Sequence, residues 1–195
     1  MTTIGFVRHG VTAWNKEGRA QGSTDIPLDD DGVRMARQIA DRLASESWDA
    51  VFTSPWKRTK RTADLIGEKL PDAEVLVDER LRERAGGLIE GTTEADRQAK
   101  WGPDWKKLDL QGETHDSVIE RGMSFVRDMQ QEYPDGRVLA VSHGGFIKRL
   151  LSELLPGGAY TEPLGNTSIT IVRLGEDENV CELFNCTQHL EEMKL

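Results

Sequence analysis

The sequence predicts an α/β fold, a three-layer α/β/α sandwich on a mostly parallel central sheet. Short apolar runs alternate with stretches of helical periodicity, the order expected of a sheet covered on both faces. At 195 residues the chain can bury one generous core and is too short for two comfortable ones, so residues 1–195 read as a single domain. No internal repeat or low-complexity tract interrupts the alternation.

Ile4–Val7 is apolar and β-branched and stops at Arg8-His9-Gly10, as a buried strand feeding a loop would. Asp29–Leu43 opens with acidic residues and then carries Val33, Ala36, Ile39, Ala40 and Leu43 at helical spacing. Ala50–Thr53 is the second strand, Ser54-Pro55 a turn, and Trp56–Leu70 the second helix, with proline favoured at its start. Glu74–Val77 is a third strand. Ser117–Met129 is a long helix with Val118, Met123, Phe125 and Val126 inward, Val138–Val141 a fourth strand, and Phe146–Leu155 a further helix. Ile169–Leu174 and Val180–Phe184 flank the polar segment Gly175–Asn179 and read as a hairpin.

Composition narrows the partners. A formal charge of -9 repels nucleic acid, whose binding rests on clustered Lys and Arg, so no nucleic-acid partner is expected. No run is apolar enough to span a bilayer and no export signal is visible at Met1–Gly10, so the expectation is a cytoplasmic protein with no membrane partner. Cys181 and Cys186 lie five apart in an extended segment, facing opposite ways and unpaired. The same negative field repels small phosphates at long range, so any phosphate site needs strong local cations.

Ligands of such sheets bind beyond the carboxyl ends of the strands. Three segments place unusual chemistry there: Arg8-His9-Gly10, Ser54 to Arg58, and Ser142-His143-Gly144-Gly145. A histidine at one strand end decides little, but His143 occupies the same kind of place beside two glycines that let a ligand approach the backbone. His115 and His189 have polar surroundings and read as surface residues. Arg58 stands at the start of a helix near the same edge, while Lys57, Lys60 and Arg61 read as a solvated basic face. Trp101 and Trp105 are four apart on a possible helix and read as core packing, with an aromatic pocket rim that includes Trp14 as the other reading. The histidines lack zinc-site spacing and the cysteines lie far away, so no metal and no other cofactor is expected.

These segments resemble the histidine phosphatase superfamily, the phosphoglycerate-mutase-like family, over nearly the whole chain. Arg8 to Asn15 is similar to R-H-G-x-[ST]-x-x-N, and Gly22 to Leu28 to G-x-x-D-x-P-L. Ser54 to Arg58 with Thr62-Ala63 resembles S-x-x-x-R-x-x-x-T-A. Leu81-Arg82-Glu83 with Glu90-Gly91 resembles the acid-bearing loop, Gly112-Glu113-Thr114 the turn before the long helix, and Ser142 to Gly145 the S-H-G-G element. Six ordered matches at compatible spacing make a strong signal.

The resemblance implies a phosphomonoesterase acting on a small phosphorylated metabolite. His9 is the implied nucleophile that becomes phosphohistidine, and Arg8, Arg58 and His143 the clamp on the phosphoryl oxygens. Asn15 would add a hydrogen bond, and Gln21, Gly22 and Gly144 would border the phosphate. Glu83 would protonate the leaving alkoxide and then activate water. His9 must be neutral to attack, with one ring nitrogen held by an acceptor such as a loop carbonyl, whereas His143 is expected to be protonated.

Two other readings stay open: a cofactor-dependent phosphoglycerate mutase, and a phosphate-binding regulatory module without turnover. Family mutases follow the acid with E-R-H-Y-G and a long insertion that shields the intermediate. Glu83-Arg84-Ala85-Gly86-Gly87 keeps only two of those residues and the segment from Thr92 to Gln111 is short, so hydrolysis is favoured. Ile89-Glu90-Gly91 stands where the family often has W-E-G, a difference read as one of specificity.

Overall fold

A computed structural model describes residues 1–158, 160 and 162–193. The strands are β1 (Thr3–Arg8), β2 (Ala50–Thr53), β3 (Glu74–Val77), β4 (Arg137–Ser142), β5 (Ile169–Arg173) and β6 (Val180–Cys186). They form one sheet in the order β3-β2-β4-β1-β5-β6. The first four are parallel, β5 runs antiparallel to β1, and β6 returns beside β5 as the expected hairpin. Helices are α1 (Ala13–Lys16), α2 (Asp30–Leu43), α3 (Lys57–Gly67), α4 (Glu94–Trp101), α5 (His115–Glu132) and α6 (Gly144–Leu154).

Side-chain alternation along the central strands divides the core into two layers. Ile4, Phe6, Val138 and Ala140 point to the face covered by α5 and α6, where they pack with Phe125, Met129, Phe146 and Leu150. Val7, Leu139 and Val141 point to the other face and meet Ile39, Leu43 and Ile66 from α2 and α3. The three-layer sandwich is therefore present. Among the described residues no helix is long and apolar enough to cross a membrane.

Local chemistry sets the helix starts. Asp29 caps α2 by accepting from the Gly32 N–H at 2.8 Å. Thr114 caps α5 by accepting from Ser117 at 3.2 Å, which begins that helix two residues before the predicted Ser117. The α4 helix sits behind a Thr93/Asp96 capping box, a signal present in the sequence that its periodicity alone does not show. It ends at Gly102, whose φ of 81° suits glycine, so Trp101 and Trp105 do not share a helix. Trp105 lies in the short 3-10 turn Trp105–Lys107, under Arg97 at 4.8 Å, with its Nε1 donating to Glu94 at 2.9 Å. The stack is anchored on α4 and is a different arrangement from core packing along one helical face.

Parallel register brings the expected segments together. Arg8 is level with Ser142 across β1 and β4, and Thr53 is level with Val141 across β2 and β4. The loops that leave these ends carry His9, Ser54 and His143 as neighbours on the carboxyl edge.

Candidate active site

His9 follows β1 directly and is pinned there by its backbone N–H, which donates to the Ser142 carbonyl at 3.0 Å. The side chain is buried, and its Nδ1 lies 2.6 Å from the Gly10 carbonyl oxygen. A carbonyl only accepts, so Nδ1 bears the proton and Nε2 keeps its lone pair. Burial holds the His9 pKa well below 6.5, Arg8 and Arg58 push it the same way, and the Gly10 hydrogen bond opposes them. The ring is neutral at pH 7. Gly10 permits the loop, because a Cβ there would stand 2.5 Å from the Gly32 carbonyl.

Arg8 and Arg58 both stand close enough to His9 for their charges to act on its ring. Arg8 Nη1 donates to the Leu164 carbonyl, while its buried Nε has no hydrogen-bond partner in the protein. Burial lowers the Arg8 pKa and the charge of Glu83 opposes it. Arg58 is completely buried. Its Nε donates to His143 Nδ1 at 3.2 Å, and Nη1 and Nη2 donate to the Thr24 and Gly22 carbonyls at 2.8 Å each. A guanidinium has about five N–H donors, so roughly two remain for a ligand. Burial lowers the Arg58 pKa to about 10, with Glu83, Asp25 and Glu90 opposing, and the group stays charged at neutral pH. Lys57, Lys60 and Arg61 are exposed, as expected of the solvated face.

His143 corrects an expectation. Its ring centroid is 5.3 Å from that of His9, but the side chain is neutral where the sequence reading required a cation. Nδ1 accepts from Arg58, so it carries no proton, and Nε2 faces Ser54 Oγ at 2.9 Å. Burial drives the pKa well below 6.5, and the positive groups Arg58 and Arg8 act in the same direction. Positive charge at the site therefore comes from the two arginines, and His143 offers a polarised N–H.

Glu83 comes from the loop after β3. Its Oε2 accepts from the Gly145 N–H at 3.0 Å and its Oε1 from the Arg84 N–H at 2.8 Å, which lodges the carboxylate at the start of α6. A Cβ on Gly145 would meet Glu83 at 2.7 Å, and one on Gly144 would meet Arg8 Nε at 3.2 Å. The loop is braced from behind. Arg121 binds Glu113 at 2.9 Å and donates to the Arg82 carbonyl at 2.7 Å, and Arg84 donates to the Glu113 carbonyl at 2.6 Å. Glu90 accepts from Ser23, Thr24 and Gly86, tying the acid loop to the Gly22 loop. Burial raises the Glu90 pKa, and those hydrogen bonds outweigh it to give a net lowering.

The remaining expected residues border this centre. Asn15 turns its Oδ1 toward the Thr12 N–H at 3.1 Å, and Gln21 Oε1 accepts from Thr12 Oγ1 at 2.9 Å. Gly22, with φ of 51°, presents its carbonyl to Arg58. All nine sequence-selected residues thus lie around one edge of the sheet.

Comparison with known proteins settles the kinship. The family profile of the histidine phosphatase superfamily (branch 1) matches residues 4–187. The chain belongs to the histidine phosphatase superfamily. It is 35% identical over 192 residues to a Bacillus subtilis protein named uncharacterized phosphatase PhoE, covering 97% of each. It is 32% identical to Phosphoglycerate mutase-like protein 4 of Arabidopsis thaliana, covering 97% of this chain and 87% of that one. Among solved structures, the phosphoserine phosphatase of Entamoeba histolytica in complex with 3-phosphoglyceric acid superimposes with a TM-score of 0.81 at 32% identity. That match covers 97% of this chain and all of the other.

Three features of the chain escaped the sequence reading. Ser54 was expected in the turn and motif that lead to Arg58, with no role of its own, yet its hydroxyl meets His143. Asn166 donates its side-chain amide to the His9 carbonyl at 3.0 Å, and its signal is a polar Asn-Thr-Ser turn just before β5. His189 was expected on the surface and is instead buried, 8% exposed, with Nε2 3.1 Å from Thr167 Oγ1. Burial lowers its pKa to about 4, and Arg42 adds to the effect. The segment Gln188–Met193 packs back against α2, which local polarity does not reveal. His115 is exposed at the start of α5, as expected, and both cysteines are free.

Proposed function

We propose that the protein is a phosphomonoesterase working through a phosphohistidine on His9. The observation that carries this reading is the state of the His9 ring: neutral, with Nδ1 tied to Gly10 and Nε2 unprotonated, beside the buried guanidinium of Arg58 and the partly buried one of Arg8. An orphaned buried donor, Arg8 Nε, suits a phosphoryl oxygen.

Two displacements complete the reaction. The Nε2 lone pair attacks phosphorus, the ester P–O bond breaks, and the leaving alkoxide takes a proton from Glu83. Water then attacks the phosphorus, the P–N bond breaks, and Glu83 recovers a proton from that water, releasing inorganic phosphate and neutral His9. Arg8, Arg58 and Asn15 hold the equatorial oxygens, the His143 N–H is shared between one of them and Ser54 Oγ, and Gln21, Gly22 and Gly144 line the margin. The substrate is a small organic phosphomonoester. Its leaving group would lie on the Glu83 side, toward Arg149, which is close enough to feel the Glu83 charge.

No metal is assigned a role. Among the described residues no three His, Cys, Asp or Glu side chains gather as a metal site would need. Hydrolysis is favoured over mutase action because residues 92–111 supply one short helix and one turn, leaving the intermediate open to water.

The test is p-nitrophenyl phosphate turnover in the presence of a chelator, with the enzyme quenched during turnover. Acid-labile, base-stable phosphate should appear on the wild type, and His9→Ala should keep the fold but lose turnover by at least about 1,000-fold. A His9→Ala enzyme with near-wild-type rates would remove the covalent mechanism. Natural phosphomonoesters, including 3-phosphoglycerate and sugar phosphates, should release phosphate without isomerised product.

A further inference from the structure

We infer that Asn166 is a positioning residue that fixes both the nucleophile and the phosphate-facing amide of Asn15, an inference that rests on the phosphohistidine reading of this site. Its carboxamide NH2 has two hydrogens and reaches two acceptors, the His9 carbonyl at 3.0 Å and Asn15 Oδ1 at 3.3 Å.

The assignment of atoms is forced by the neighbours. Asn15 Oδ1 receives the Thr12 backbone N–H at 3.1 Å, and a backbone amide can only donate, so the oxygen of Asn15 must face that way. The Thr12 hydroxyl lies 3.2 Å from Asn15 Oδ1 and 2.9 Å from Gln21 Oε1, but it has one hydrogen and the Gln21 contact is the shorter. Asn166 therefore supplies the second donor that keeps Asn15 from flipping. With its oxygen so engaged, Asn15 has only Nδ2 to offer, the polarity a phosphate dianion requires.

The turn that carries Asn166 is itself held in an uncommon conformation. Thr167, a β-branched residue, has φ of 55°. Its N–H donates to both the Arg8 and the His9 carbonyls, at 3.0 and 3.3 Å, and Arg8 N donates back to Ser168 at 3.1 Å. Thr167 Oγ1 donates to the Asn166 carbonyl at 2.8 Å and lies 3.1 Å from His189 Nε2, which fixes the direction in which Asn166 projects. Strain of this kind persists only where surrounding bonds over-determine it. The turn grips the carbonyl of the nucleophile on one side and aims the Asn15 amide on the other.

The experiment is a double-mutant cycle on Asn15→Ala and Asn166→Asp, read in kcat/KM for p-nitrophenyl phosphate and in affinity for inorganic phosphate by calorimetry. Asn166→Asp keeps the shape but sets an acceptor against both acceptors. It should lower kcat/KM about 100-fold, and the same change made on Asn15→Ala should cost about 10-fold or less. Phosphate affinity should show the same coupling. Asn166→Ala, which adds no charge, carries the same test at smaller amplitude should the aspartate variant not fold. Effects that multiply independently, in turnover and in phosphate binding, overturn the clamp while leaving an active phosphatase intact. Coupling in phosphate affinity with a wild type that turns nothing over upholds the clamp and removes the phosphatase reading.

Discussion

His9 and His143 share a pocket and are both neutral, for the same reason: burial between two guanidinium groups penalises any further positive charge. They differ in which nitrogen is engaged. His9 gives its Nδ1 hydrogen to Gly10 and keeps a lone pair for phosphorus, whereas His143 spends its Nδ1 lone pair on Arg58. The strand-end histidines were legible from Arg8-His9-Gly10 and Ser142-His143-Gly144 because the apolar run before each marks a strand. The protonation of His143 was not, since it depends on Arg58 pointing its Nε at that ring from another element. Glu83 is testable on its own. Glu83→Gln keeps an acceptor for one of the Gly145 and Arg84 amides, sets its NH2 against the other, and cannot donate a proton to an alkoxide. It should slow alkyl phosphates at least about 100-fold while slowing p-nitrophenyl phosphate far less, because nitrophenolate leaves without help. Equal losses on both substrates would strip Glu83 of the acid role.

Secondary-structure elements bring these side chains together through close backbone contact. The β1 loop and the first turn of α2 touch at two glycines: a Cβ on Gly32 would stand 2.1 Å from the Val11 carbonyl, and one on Gly10 2.5 Å from that of Gly32. Gly32→Ala sets two effects against each other. Helix propensity favours alanine by about 1 kcal/mol, but a clash with backbone cannot be relieved by a rotamer change and costs on the order of 1–3 kcal/mol. The clash should win, giving a net loss of up to about 2 kcal/mol in urea unfolding together with reduced turnover, because the displaced loop carries His9. A stabilised, fully active variant would show that the loop yields freely. Element types were readable from periodicity, and the sheet edge that forms the site follows from them. Asn166 was not readable, because its place beside His9 arises from β5 pairing antiparallel to β1, a long-range pairing that no local pattern announces.

Acid should unfold this protein in two separable stages, each set by groups that fold in a protonation state unlike that of the free chain. The first concerns His9, His143 and His189, whose folded pKa values all lie below 6.5, that of His189 at about 4. Above pH 6.5 both states bind no proton there and no penalty exists. As pH falls below that value the unfolded chain takes up protons the folded one refuses, so stability drops by about 1.4 kcal/mol per pH unit for each histidine. The second stage concerns Asp29, Glu90 and Glu113, whose carboxyls fold with lowered pKa values. Their contribution is present above the ordinary carboxylate range and is lost only as pH falls through the folded values, below about 4.5. The interval between about 4.5 and 6.5 is therefore governed by the histidines. His189 is the one to change, since it stands away from the chemistry against Thr167 and Arg42. Glutamine can still donate to Thr167 and accept from Arg42 but does not titrate. His189→Gln should flatten the decline of unfolding free energy across that interval by about one proton, or about 1.4 kcal/mol per pH unit, and the two proteins should converge in slope above pH 7. Urea titrations at half-unit steps measure both slopes directly. Parallel curves for wild type and variant would mean that His189 titrates normally in the folded protein, and that the C-terminal segment does not seal it from water.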